Sequence, residues 1–351
     1  MTIPKTMRAA ILAELQQPLI VDQIEMPETL EPGQVLVKIG VSGICGSQIG
    51  EIDGAKGEDK YLPHLLGHEA SGIVQEVGPG VRFVKPGDHV VLHWRKSQGI
   101  ESVSPKYTWR GKPLNAGLIA TFNEYAIVSE NRVTRIDPAS DMEVASLFGC
   151  AVTTGFGVAE NNADIKFGEA VVVFGAGGVG LNIIQAAGLR SAYPIIAVDL
   201  YDGRLDLAKL MGATHVINAK NVDAKAALIE LMGNQGIDVF IDNTGQPSII
   251  EMGYELTKAQ GRVVLVGVPK KGRNISIFSL PLHFDKRISG SHGGESVPHL
   301  DIPRYTKLLD AGLIQLKPLI TEHFKLDDIN VAIQRMRSGE LAGRCLIRMD
   351  A

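Results

Sequence analysis

Between residues 171 and 180 the chain reads VVVFGAGGVG, and this stretch restricts the fold more than any other. The continuous apolar run VVVF reads as a strand covered on both faces. Gly175-Ala176-Gly177-Gly178-Val179-Gly180 then fits GxGxxG and opens a helical stretch. Gly175 permits the tight turn, and Gly177 lets a pyrophosphate approach the backbone. Gly180 lets the helix pack on the strand, and the helix N-terminus favours phosphate charge. Asp199 ends the next strand, nineteen residues beyond Gly180, at the spacing expected for a ribose-binding acid. A carboxylate there accepts bonds from both adenosine ribose hydroxyls and repels a 2′-phosphate, which favours NAD over NADP. Arg204, at the following helix start, is placed to stack on the adenine. The competing reading is a glycine-rich turn in a Rossmann-like domain that holds no nucleotide.

The pattern around this motif divides the chain. Before residue 151, short strands alternate with Gly/Pro punctuation, as in 34–45, 70–78, 82–93 and 121–136, which argues for an antiparallel, barrel-like unit. After it come strands at 171–174, 195–199, 215–218, 238–245 and 262–268, separated by helices that include 203–211 and 223–233. Alternation of this kind builds βαβ units on a parallel sheet. Helices at 303–312 and 326–338 and a strand at 344–349 follow. The expected class is α/β, a doubly wound parallel sheet beside a mainly β unit.

Composition narrows the function. Lys and Arg number 35 against 39 Asp and Glu, a net charge of −4, which speaks against a basic nucleic-acid binder. Three cysteines, at 45, 150 and 345, make no disulfide framework and no local CxxC knuckle. The uncharged run 170–189 could pass for a membrane span, but five glycines with Asn182 and Gln185 make a poor one. The N-terminus lacks a signal peptide's apolar stretch. A reduced, cytoplasmic protein without membrane or nucleic-acid partners is expected.

Cys45 follows an apolar strand, and His68 stands in the triplet GHE. Taken singly, each reads as structural. Together with GICGS (43–47), LLGHEASGIVQEVG (65–78), VKPGDHVV (84–91), GCAVTTGFG (149–157), VFGAGGVG (173–180) and LAGRCLIRM (341–349), they carry a resemblance. In these segments, spread over nearly its whole length, the chain resembles the zinc-dependent alcohol dehydrogenases of the medium-chain dehydrogenase/reductase superfamily. The resemblance implies a GroES-like catalytic domain over 1–153, a Rossmann domain over 154–292, and a segment 293–351 that returns to the first. It implies one catalytic zinc on Cys45, His68 and Cys150, with Glu69 visiting the metal or ordering the groups around it. Two thiolates and an imidazole suit zinc and leave a fourth position for water or substrate.

The resemblance further implies that Ser47 takes the substrate proton and that Thr154 lies beside the nicotinamide. Val266 to Val268 would present the edge read by the carboxamide, and Arg344 would bind the pyrophosphate. The 92–118 loop has two readings: a solvated loop with an aromatic anchor, or a wall of the substrate cleft lined by Trp94 with His93. The expected reaction is hydride transfer between NAD and an alcohol, aldehyde or ketone, in a homodimer or homotetramer. A zinc-free quinone-reductase-like or non-catalytic NAD-binding relative is the alternative; its mark would be loss of the metal cysteines, and none is lost. Two departures stand out. Many members hold a structural zinc on four cysteines after the GDHV strand, whereas 92–118 has none, so no structural zinc is expected. Gln48 stands where several members have an acid and Gly50 where some have a relay histidine, leaving water, a ribose hydroxyl or Glu51 to end the proton path. Basic residues at 95–96 and 106–112, with Lys270, Lys271 and Arg273, read first as surface solubility; an anionic, polyol or sugar-like substrate is the functional reading.

Overall fold

The computed structural model describes residues 3–349. The chain forms two compact units: residues up to Cys150 with Val297–Ala311 and the segment from Ile320, and Ala151–Ser296 with Gly312–Leu319.

The first unit is built on two sheets. One orders His64–Leu65, Thr6–Leu12, Ile20–Glu25, Tyr107–Trp109 and Lys112–Leu114. The other runs Val133–Arg135, His89–His93, Glu69–Val77, Gln34–Gly43, Arg344–Arg348 and Ile320–Lys325, with Tyr125–Ser129 also on Gln34–Gly43. Strand alternation separates the cores. Met7, Ala9 and Ile11 enter one cluster, and Ala10 and Leu12 enter another that contains Cys345 and Ile347. Gln34–Gly43 is almost wholly buried and is central to the unit. Its end, Val41–Gly43, pairs antiparallel with Leu346–Arg348, so the last strand of the chain belongs to the first unit.

The second unit holds six parallel strands in the order His215–Asn218, Ile195–Asp199, Val171–Phe174, Ile237–Asp242, Thr257–Leu265, Arg287–Gly290. Val171–Phe174 is buried throughout and lies where the strand order reverses, so the turn after it opens on the crevice where such sheets bind ligands. The sixth strand, RISG, carries little apolar signal because it is an exposed edge. The helix expected at 303–312 runs over Pro298–Asp310; Pro298 pre-sets its first turn and Pro303 is accommodated inside. The later helix is Ile329–Ser338, entered by a 3-10 turn and closed by Gly339 at φ 76°. Among the described residues no single helix is long and apolar enough to cross a membrane.

Candidate metal centre and dinucleotide site

Cys45 leaves the end of Gln34–Gly43 and caps the short helix Gly46–Ile52. His68 follows Gly67, whose φ of +95° only glycine adopts cheaply, and a Cβ there would meet Thr121 Oγ1 at 2.4 Å. Cys150 closes the 3-10 turn Leu147–Gly149. One ligand atom from each of the three lies within 4.8 Å of the others. The Nε2 of His68 is buried without a hydrogen-bond partner. Hydrogen bonding from Cys150 draws the Cys45 thiol well down, and Cys45 in turn drives Cys150 up. Metal binding would require both sulfurs as thiolates. Two sulfurs and an unpartnered imidazole nitrogen at this spacing fit zinc.

Glu69 is fully buried behind the cluster; its Oε2 accepts a hydrogen bond from Arg344 Nη2 at 3.0 Å, and its Oε1 lies 2.9 Å from the same nitrogen as an ion pair. Arg344 Nη1 donates to the Ile44 carbonyl at 3.0 Å. Burial works against the charge of this arginine; Glu69 and the two sulfurs outweigh it and hold its pKa above the ordinary value. Both Nη groups are thus engaged beneath the metal centre, while Nε is buried without a hydrogen-bond partner. Ser47 is exposed on the first turn after Cys45, and Glu51 pairs with Lys56 at 3.4 Å. Trp94 is half-buried, its ring edge-on to His68 with centroids 6.5 Å apart.

His93 corrects its expectation. It is fully buried, Nδ1 donates to the Arg95 carbonyl at 2.7 Å, and Nε2 bonds Thr134 Oγ1 at 2.9 Å. Burial pushes its pKa down to about 4, so it is a neutral core residue and lines no cleft. The 92–118 segment has its own fastenings. Tyr107 is buried and accepts the Ile127 N–H, and Asp22 holds both Trp109 Nε1 at 2.9 Å and Arg110 at 3.0 Å.

In the second unit, Gly175 takes φ +96° after Val171–Phe174, and Gly177 caps the helix Gly178–Leu189, whose first turn carries Val179. A Cβ on Gly180 would stand 2.0 Å from the Gly175 carbonyl oxygen, so the helix packs on the turn only with glycine there. Asp199 Oδ2 accepts the Ala176 N–H at 2.8 Å, while Oδ1 accepts those of Leu200 and Tyr201 and lies 3.7 Å from Arg204. Arg204 stacks on Tyr201, its guanidinium 4.8 Å from the ring centre. Val266 N–H bonds the Asp242 carbonyl, and Val268 is exposed. Thr154 is buried with Oγ1 unpartnered. Asn243, absent from the sequence expectations, lies against Gly175 with both amide atoms buried and unpartnered. Its only signal was an amide side chain at the C-terminal end of a parallel strand. These orphaned polar atoms and the glycine cradle fit a dinucleotide.

Comparison with known proteins agrees with this geometry. Residues 31–138 match the alcohol dehydrogenase GroES-like domain, and residues 178–311 match the zinc-binding dehydrogenase domain. The chain is 33% identical to S-(hydroxymethyl)glutathione dehydrogenase of Synechocystis sp., covering 95% of this chain and 97% of that protein. It is 30% identical to alcohol dehydrogenase 1 of Trifolium repens over 98% of this chain and 97% of that protein. The crystal structure of benzyl alcohol dehydrogenase from Acinetobacter calcoaceticus superposes with a TM-score of 0.88 at 28% identity, covering 99% of this chain and 100% of that chain. The first unit is thus a GroES-like, nearly closed barrel and the second a Rossmann-like domain. The chain belongs to the zinc-binding alcohol dehydrogenase family of the medium-chain dehydrogenase/reductase superfamily, oxidoreductases acting on CH–OH donors.

Proposed function

We propose that this chain interconverts an alcohol and its aldehyde or ketone with NAD, using one zinc on Cys45, His68 and Cys150. The observation that carries this reading is the convergence of the three ligand atoms within 4.8 Å, with His68 Nε2 otherwise unpartnered. When bound, zinc supplies a Lewis acid for the substrate oxygen, and NAD supplies the hydride acceptor. Ser47 offers an exposed hydroxyl next to a ligand, placed to accept the alcohol proton. Arg344 and Glu69 hold the floor of the site by a buried ion pair. The Gly175–Gly180 turn receives the pyrophosphate, Asp199 the adenosine ribose, and Thr154 and Asn243 offer bonds to the rest of the dinucleotide. Val266 and Val268 present backbone groups to the carboxamide.

The relatives' names supply the first substrates to assay, S-(hydroxymethyl)glutathione and benzyl alcohol. The Trp94 ring beside His68 favours the aromatic alcohol over a polyol, and several of the basic residues once read toward a polyol are engaged nearby, Lys96 with Glu101 and Arg110 with Asp22. Elemental analysis and an NAD-linked panel of simple, aromatic and polyol alcohols test the reading. About one zinc per chain and turnover of an alcohol support it; purified protein without zinc or without turnover refutes it. We further propose a homodimer or homotetramer. The exposed edge strand Arg287–Gly290, preceded by exposed Phe278 and Phe284, supports self-association, and light scattering checks it.

A further inference from the structure

The carboxamide of Gln48 connects two of the three proposed ligands. The residue is 1% exposed. Its Oε1 accepts the Cys45 backbone N–H at 2.9 Å, closing a capping box over the first turn of Gly46–Ile52. Its Nε2 lies against Nδ1 of His68, which leaves the ring's Nε2 as the atom for a metal.

An amide has one accepting end and one donating end. A histidine that gives its Nε2 lone pair to a metal carries its proton on Nδ1. Cys45 N–H and His68 Nδ1–H then both require Oε1, while the amide's own N–H groups face donors. Turning the amide over serves His68 and strands Cys45. A carboxylate would serve both, with an acceptor at each end.

We propose that Gln48 is a positioning residue that makes the zinc exchangeable, because its single carbonyl oxygen must serve two ligand residues at once. Neither ligand is then held as firmly as a carboxylate at 48 would hold it. This inference rests on the zinc reading above and concerns how tightly the site keeps its metal.

The experiment measures zinc affinity and the rate of zinc transfer to a chromogenic chelator for the zinc-loaded wild type, Gln48→Glu and Gln48→Met. Partners of metal-bound histidines typically change affinity about 10–100-fold. Gln48→Glu is expected to hold zinc tighter by that order, and Gln48→Met, which offers no oxygen acceptor, to lose it faster than wild type. A gain in retention is something general damage to the fold does not produce. Equal or weaker retention in Gln48→Glu overturns the proposal. Should that variant not fold, equal or tighter retention in Gln48→Met does so. A wild type that binds no zinc overturns the metal reading and this inference with it. A wild type that binds zinc, with the expected order of variants absent, overturns this inference alone.

Discussion

Single atoms decide most of what this chain does with a substrate. Ser47 places a hydroxyl beside Cys45, and no other side-chain hydroxyl is assigned to the reacting proton. Ser47→Ala is expected to reduce alcohol oxidation by about 10²–10⁴-fold, the range for a lost acid–base group, with zinc content and NAD affinity kept. Steady-state rates alongside metal analysis check this, and unchanged turnover would remove Ser47 from the proton path. Asp199 has two duties: it accepts three backbone N–H groups, and it faces the ribose if NAD binds as proposed. Asp199→Asn keeps an acceptor for the turn but removes the charge that repels a 2′-phosphate. The ratio of NAD to NADP affinity should fall about tenfold or more, since charged hydrogen bonds contribute roughly 1.5–3 kcal/mol each. Titration of both cofactors measures it, and a wild type that already prefers NADP sinks the assignment. His93 shows where reading residues one at a time goes astray. It adjoins Trp94 in sequence, but His93 is the buried last residue of the strand His89–His93, whereas half-buried Trp94 lies in the bend after it.

At the scale of elements, the turns are the exacting parts. Gly67 presents His68 only because its φ of +95° and the lack of a Cβ let the backbone pass Thr121. Gly67→Ala must displace either the turn or Thr121. It is expected to lower the Tm by several degrees, as a loss of about 1–3 kcal/mol would, and to lower zinc content as well. Thermal melting with metal analysis tests this; full zinc occupancy in a folded variant would show that the turn does not aim the ligand. GAGGVG was legible in the sequence because it is contiguous and each glycine has a local mechanical reason, whereas GHE read as structural on its own and gained a metal role only from the family resemblance. The contact of Gln48 with His68 spans 20 residues, and that of Arg344 with Glu69 spans 275, so neither leaves a local pattern. The edge strand Arg287–Gly290 was illegible for another reason: an exposed edge needs no apolar periodicity.

For the molecule as a whole, the far end of the chain is tied to its first half by charge as well as by strand pairing. Glu143 accepts Arg348 and meets His323 at 3.1 Å, both from the C-terminal segment. Burial alone would raise this carboxyl; the bonds from Arg348 and His323 outweigh it and hold it below the ordinary glutamate value. A depressed acid contributes stability above its unfolded pKa and loses that contribution as pH falls through the folded one. Glu143→Gln is therefore expected to lower the Tm at neutral pH, with the difference from wild type vanishing in acid. Melting curves from pH 7 down to pH 3 check the sign, and a difference that grows in acid would contradict it. The placement of Arg344 also has a consequence for synthesis. Chains emerge N-terminal end first, at about 5–20 residues per second. Cys45, His68, Glu69 and Cys150 leave the ribosome long before Arg344, and both segments of the second unit, Ala151–Ser296 and Gly312–Leu319, also precede it. Until the final strand arrives, the Glu69 carboxylate lacks its counter-ion and Gln34–Gly43 lacks a neighbour. The nascent chain thus carries the whole second unit while the first still waits for the strand Arg344–Arg348 to complete it.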